Sequence, residues 1–134
     1  MKTPAQHLIE KSVKVTAQRA AVLEFLQDNT DHPSPDEVYR KVHKRFPYIS
    51  RATVYNTIKT LVKAGLLQEV LIQQDKTRVD PNVSQHHHFK CLRCGTVDDM
   101  PYRLLTADRV RASLKAYHVK EVRMVVEGLC KRCR

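Results

Sequence analysis

The sequence predicts an α+β protein in two parts, an N-terminal winged helix-turn-helix domain followed by a small α/β domain. Three observations carry this. Residues 16–65 hold a series of capped amphipathic helical patterns, residues 66–80 read as a hairpin, and from residue 85 onward histidines and cysteines gather at metal-ligand spacing. At 134 residues the chain falls in the size range where metal staples commonly supplement a small core.

The first helix is predicted to start behind Thr16 as N-cap and to run over residues 17–27, with Val22, Phe25 and Leu26 recurring at helical spacing. The polar run Asp28-Asn29-Thr30-Asp31 stops it. Ser34 caps a second helix with Pro35 at its first position, and Asp36 and Glu37 sit in the first turn, where the helix dipole favours negative charge. Val38, Val42 and Phe46 form its apolar stripe, and Pro47 closes it. Ser50 opens a third helix over 51–64, with Val54, Ile58, Leu61 and Val62 facing the core and Gly65 as its C-terminal signal.

That stripe leaves Arg51, Thr53, Tyr55, Asn56 and Lys59 on the other faces of a helix that contains no acidic residue. Strands at 66–73 and 77–80, turning at Gln74-Asp75-Lys76, complete the layout of a winged helix. In that layout Arg51, Thr53, Tyr55 and Asn56 would approach base edges in the major groove. Lys59, Lys76 and Arg78 would track phosphate or the minor groove. The alternative for Tyr55 is a ring packed under the wing.

Pro81-Asn82-Val83-Ser84 is the best linker, because a proline ends the hairpin strand and polar residues follow. The expected division is therefore 1–80 for DNA binding, 81–84 as hinge and 85–134 as an α/β dimerisation and metal-binding domain. In the last part, strands are expected over 86–93, 96–99 and 117–129, with a helix over 104–116.

The net charge of +10 favours a polyanionic partner, with double-stranded DNA the first candidate. It is spread along the chain: 13 Lys and Arg against 9 Asp and Glu up to Asp80, and 11 against 5 beyond it. No apolar run approaches the ~18 residues of a membrane span. The first residues lack the apolar core of a secretory signal. The expectation is a cytoplasmic protein in a reducing compartment, where paired C-x-x-C motifs favour zinc over disulfides.

Cys91-Leu92-Arg93-Cys94 and Cys130-Lys131-Arg132-Cys133 make two such motifs. Four thiolates satisfy a tetrahedral Zn²⁺ and leave no open position, so one structural Zn²⁺ per chain is expected on Cys91, Cys94, Cys130 and Cys133. A pair of disulfides or unrelated buried cysteines is the bland alternative. Beside this motif, alternation along an extended segment puts His86 and His88 on one face and His87 on the other. Asp80, His32 and a carboxylate from Asp98 or Asp99 lie within plausible reach. Strand alternation alone does not choose between those two. A set of imidazoles and short carboxylates suits Fe²⁺ or Mn²⁺, with Zn²⁺ as another occupant. His7, His43 and His118 fit no pattern, and a solvated histidine strand is the competing reading of the cluster.

Thr16-Ala17-Gln18-Arg19, the helix start Ser50-Arg51-Ala52-Thr53-Val54-Tyr55-Asn56, the His86-x-His88-x-x-Cys91-x-x-Cys94-Gly95 core and the terminal Cys130-x-x-Cys133 together resemble the ferric uptake regulator (Fur) family of bacterial metal-dependent repressors. The resemblance covers nearly the whole chain. It implies a homodimer acting on a palindromic operator, with a structural zinc and a regulatory metal site. Within the family, the spacing is most similar to the peroxide-responsive (PerR) branch. There aspartates stand at the positions matching Asp80 and Asp99, where iron-sensing members more often carry glutamate. A histidine before proline matches His32. The resemblance thus selects Asp99, and implies a regulatory set of His32, Asp80, His86, His88 and Asp99. It further implies that Fe²⁺ and peroxide oxidise a ligand histidine, His32 or His86, and so release DNA, whereas Mn²⁺ supports repression without that reaction. Some members have a further site built on a histidine eight residues before the third cysteine. Here that position is Val122, and the remaining positions fall near Gln85, His87 and Thr106.

Two other readings compete. An iron- or zinc-uptake regulator would keep the fold and change the signal. A zinc enzyme would need a different motif: H-x-E paired with P-C-x-x-C, or H-E-x-x-H, and neither occurs.

Overall fold

The structure, a computed structural model, describes residues 1–73 and 76–134, and for 71–73 and 76 it describes the backbone alone. The expected turn residues Gln74 and Asp75 lie outside the described residues. The chain divides into two compact units, Met1–Val83 and Ser84–Arg134. No helix among the described residues is long and apolar enough to cross a membrane.

The N-terminal unit begins with a helix the sequence reading lacked, α1 (Pro4–Glu10). Its signal is short. Thr3 and Gln6 form a capping box, each side chain accepting a hydrogen bond from the other residue's backbone N–H, with Pro4 just inside the start. One apolar residue, Leu8, anchors it in the core. A single anchor gives no periodicity to read.

The three expected helices follow as α2 (Ala17–Leu26), α3 (Pro35–Arg45) and α4 (Arg51–Lys63). Thr16, Ser34 and Ser50 each accept the N–H three residues on, and Glu37 closes a full capping box with Ser34. Asp28 ends α2 in the left-handed region at φ 64°, and Gly65 takes φ 73° just past α4, a conformation that side-chain-bearing residues adopt at a cost. Val22, Leu26, Val38, Val54 and Leu61 are fully enclosed. Phe25, Phe46 and Val62 only line the margin of this core, and Thr57 takes a buried place on α4 that apolar periodicity would not assign to it.

Strands β1 (Gln68–Gln73) and β2 (Lys76–Asp80) pair antiparallel as the wing, with Val70 opposite Arg78 and Gln68 opposite Asp80. Val79 of β2 is buried in the helical core and its N–H donates to the Pro33 carbonyl, 2.8 Å away. The wing is thereby sewn to the corner between α2 and α3.

The C-terminal unit is a three-stranded sheet in the order β4-β3-β5, formed by β3 (His87–Cys91), β4 (Val97–Met100) and β5 (Val125–Gly128). β3 pairs antiparallel with β4 and parallel with β5. Two expectations for this unit are corrected. The helix predicted over 104–116 is a 3₁₀ turn at Tyr102–Leu104 followed by a shorter helix, α5 (Ala107–Ser113). Thr106 caps α5, and the Tyr102 hydroxyl accepts the Ala107 N–H at 2.7 Å, so the helix starts there. The long strand predicted over 117–129 is only β5. β3 offers it partners from His88 to Cys91, and the valines upstream have no strand to pair with among the described residues.

Ser34→Ala removes one half of the α3 capping box. It is expected to lower the stability of the N-terminal unit by about 1 kcal/mol, read from its urea midpoint by circular dichroism. An unchanged midpoint would show that the box contributes nothing.

Candidate metal centres

β3 and β5 run side by side into their C-x-x-C turns. One ligand-capable sulfur from each of Cys91, Cys94, Cys130 and Cys133 lies within 4.8 Å of the others, and all are free cysteines. Cys94 Sγ and Cys130 Sγ are 3.7 Å apart. Two sulfurs bound to one tetrahedral Zn²⁺ at ~2.3 Å would stand about 3.8 Å apart, so the group fits that ion. Gly95, at φ 75°, lets the first turn close. Cys91 is fully buried, and its sulfur accepts from the backbone N–H groups of Cys94 at 3.5 Å and Cys130 at 3.4 Å.

Those donors set the thiol chemistry. The Cys94 N–H, with that of Cys130, lowers the Cys91 thiol to about 5, and the Thr96 hydroxyl lowers Cys94. Hydrogen bonding to Cys130 raises Cys133 to about 12. Backbone donors thus favour the thiolate at Cys91, whereas Cys133 favours the protonated form until a cation displaces its proton.

On the other side of β3, alternation separates the three histidines as the sequence implies. The His86 and His88 rings are 4.5 Å apart, with their Nε2 atoms at 3.0 Å. Two imidazole nitrogens bound at ~2.1 Å and at right angles to one ion would stand about 3 Å apart. Strand register brings Asp99 opposite His88 and Asp98 opposite Phe89. Asp99 Oδ1 lies 3.3 Å from His86 Nε2 and 3.7 Å from His88 Nε2. His86 Nδ1 is 2.7 Å from the Ser84 carbonyl, which can only accept. The proton therefore sits on Nδ1, and Nε2 presents its lone pair to the cluster.

His87 points away and uses both nitrogens. Its Nδ1 accepts the Met124 N–H at 3.1 Å, and its Nε2–H donates to the Leu105 carbonyl at 2.7 Å. The ring stacks on Tyr102, 5.5 Å between centroids. It is a neutral brace between β3 and the segments around it, with no lone pair left for a metal.

In the N-terminal unit, His32 and Asp80 form a buried pair, Nε2 to Oδ2 at 3.3 Å. His32 has φ 50°, a left-handed conformation unusual for a side-chain-bearing residue and a form of strain found at functional corners. Arg78 sits at the same corner. Its guanidinium turns back to the His32 carbonyl at 3.4 Å and the Glu37 carboxylate at 3.5 Å, bracing this corner. Glu37 keeps its carboxyl below the usual range against the cost of burial, through the Ser34 N–H and hydroxyl and the charge of Arg78.

The remaining candidates for DNA contact divide. Arg51, Thr53, Tyr55, Asn56 and Lys59 are all exposed on α4. Tyr55 is not packed under the wing. Its hydroxyl donates to Asp36 at 3.3 Å, while Thr53 Oγ1 is engaged with Ser50 Oγ at 2.8 Å. The Lys76 side chain lies outside the described residues.

The ferric uptake regulator family model matches residues 10–127. The chain belongs to that family. The peroxide-responsive repressor PerR of Staphylococcus aureus strain USA300 is 33% identical over 128 residues, covering 95% of this chain and 86% of that protein. PerR from Streptococcus pyogenes, whose structure has been described as a basis for peroxide sensing and gene regulation, is 31% identical with a TM-score of 0.55, over 100% of this chain and 95% of that one. The Campylobacter jejuni peroxide stress regulator is 28% identical with a TM-score of 0.70, over 96% and 95%. Family membership and these relatives make the chain a metal-dependent DNA-binding repressor. Val122, eight residues before Cys130, offers no metal donor, and His87 is committed to backbone.

Zn²⁺ uptake by the thiol group near neutral pH is expected to release fewer protons than there are cysteines, because Cys91 is already a thiolate above about 5 while Cys133 holds its proton. Titration calorimetry in buffers of different ionisation enthalpy counts them, and a full release from every cysteine would contradict the lowered Cys91. Metal affinity should weaken as the pH falls through the Cys91 value. Separately, His87→Ala takes the partner from the part-buried Met124 N–H and Leu105 carbonyl and empties a fully buried position, and should destabilise the C-terminal unit by about 2 kcal/mol in thermal or urea unfolding.

Proposed function

We propose that the chain is a homodimeric, peroxide-sensing repressor of its family. In this reading one Zn²⁺ per chain on Cys91, Cys94, Cys130 and Cys133 is structural, and Fe²⁺ or Mn²⁺ on His32, Asp80, His86, His88 and Asp99 is regulatory. The observation that carries it is the donor cluster of His86 just before β3, His88 on β3 and Asp99 on β4, where two imidazole nitrogens and a short carboxylate converge. That set is incomplete for an ion preferring about six ligands, as is the His32–Asp80 pair. Each unit thus supplies part of a shell, and joining them would let metal binding act as conformational energy.

The strain at His32 and the sewing of β2 to Pro33 give the N-terminal pair a mechanical link to the wing. Metal capture by His32 and Asp80 would therefore hold the DNA-binding unit through both its helix corner and its wing. Fe²⁺, when bound, supplies the reducing equivalents that turn peroxide on a neighbouring group, and Mn²⁺ does not. The residues on hand to receive an oxygen are His32 and His86, and either modification removes a ligand and with it the hold on the DNA-binding unit. Support for the peroxide branch also comes from the aspartates at positions 80 and 99 and the identity to PerR.

Support for the dimer comes from the C-terminal unit's surface. Among the described residues its buried apolar side chains are Cys91, Val97 and Ala107, while Leu92, Leu104, Leu114, Tyr117, Val125, Val126 and Leu129 are exposed. A unit so thinly filled needs cover from a metal staple and a partner. A two-fold dimer would read a palindromic operator in double-stranded DNA. Cytoplasmic residence agrees with the reduced thiols this scheme requires.

Selection of duplexes from a random library by Mn²⁺-loaded protein, followed by binding measurements with Fe²⁺ and Mn²⁺ and brief peroxide, tests the reading. Release only from the Fe²⁺ form is expected, with one added oxygen on a peptide holding His32 or His86. Release that follows metal depletion and ignores peroxide would instead make the chain a metal-uptake regulator.

A further inference from the structure

Arg51 and Tyr55, the two largest side chains expected to reach DNA from α4, are both held by one carboxylate on the neighbouring helix. Asp36 Oδ1 accepts from Arg51 Nη1 and, at 3.3 Å, from the Tyr55 hydroxyl. Arg51 Cζ also sits 4.6 Å above the centre of the Tyr39 ring, so its guanidinium is fixed from two directions. These four residues lie within the N-terminal unit, and the Arg51 and Asp36 side chains remain 58% and 43% exposed. The clamp thus faces solvent on the same surface as the expected readers. The Tyr55 hydroxyl is held protonated by partial desolvation and by the Asp36 charge, and keeps its role as donor.

We infer that Asp36 is a specificity-determining residue for DNA: it orients Arg51 and Tyr55 for base edges and withholds the Arg51 charge from arbitrary phosphates. The inference rests on the DNA-binding role of α4. Its physical basis is the difference between the two ways an arginine binds duplex DNA. A free guanidinium adds to the sequence-independent phosphate term, which grows with each phosphate neutralised. A guanidinium held in one plane presents its fork to the paired acceptors of guanine in the major groove, and loses less freedom in doing so. A carboxylate partner suppresses the first mode and prepares the second. Tyr55, tethered to the same oxygen, is kept beside the guanidinium with its ring edge available to a thymine methyl.

Asp36 also occupies the first turn of α3, where a negative charge supports the helix dipole. A merely structural role would therefore act through α3, with or without Arg51. The test uses the full-length, Mn²⁺-loaded protein and duplexes selected from a random library by the wild type. Affinity for the selected duplex and for a scrambled one is measured over a series of salt concentrations, for wild type, Asp36→Ala, Arg51→Ala and the double variant. Metal content and thermal melting are recorded for each.

Asp36→Ala is expected to bind scrambled DNA about fivefold or more tightly, with a steeper salt dependence by about 0.9 in the log–log slope for each phosphate gained. The ratio of selected to scrambled affinity should fall by about tenfold, with loss of preference at one base pair in each half-site. In the Arg51→Ala background, removing Asp36 should leave that ratio unchanged. A ratio that Asp36→Ala does not alter, or one that falls equally without Arg51, overturns the inference while leaving the DNA-binding role intact. Failure of the wild type to enrich any duplex would overturn that role and the inference with it.

Discussion

The C-terminal unit depends on the convergence of two backbone N–H groups on the sulfur of Cys91. One donor comes from its own turn and the other from the turn that follows β5, so a single buried sulfur ties together positions 39 residues apart. The sheet has little else to rely on. Its strands are five residues long or shorter, and few of its apolar side chains are buried. In a unit of this size a cross-link does what a hydrophobic core does in a larger one. Because Cys91 closes β3, fixing its position also fixes the register of the residues before it. His88 then falls opposite Asp99, and His86 shares its face two residues away. The position of the thiol group thus bears on the geometry of the histidine and aspartate group, and the two share no residue.

His87 performs a related task from the opposite face. By accepting from Met124 and donating to Leu105, it joins β3 to the approach to β5 and to the connection before α5. Three consecutive histidines therefore have unlike chemistry, decided by which neighbours their nitrogens meet. The outer two bring their Nε2 atoms together near Asp99, whereas both nitrogens of the middle one are committed to backbone. Exchanging His87 for a metal ligand of another kind would disturb the sheet before it created a site.

What the sequence disclosed follows from how local each signal is. The caps at Thr16, Ser34 and Ser50, the C-x-x-C pairs and the alternation around His87 act within a few residues, so their outcome could be read directly. α1 went unread because its evidence is a capping box with only Leu8 behind it. The strand expected from Tyr117 onward failed for a non-local reason. Valine spacing signals a capacity to pair, but the length of β5 is set by the partner positions that β3 provides. The same limit applied to Asp98 and Asp99, which alternation leaves equivalent until the pairing register is known. The pairing of Arg78 with Glu37 and the His32 carbonyl is likewise non-local, joining residues more than forty positions apart.

Arg78 and Arg51 are both held by carboxylates in a chain with a large basic surplus. Much of the +10 net charge is free to act at long range, and it would favour any duplex over none. On α4 and the wing, two arginines are instead paired with carboxylates on α3: Arg78 with Glu37 and Arg51 with Asp36. Both acids stand in the first turn of α3, so one helix start holds a wing residue and a residue of α4 at once. The α3 start also follows directly on Pro33, the residue after His32. Displacement of the His32 corner would therefore move both carboxylates, and with them the side chains of Arg78 and Arg51.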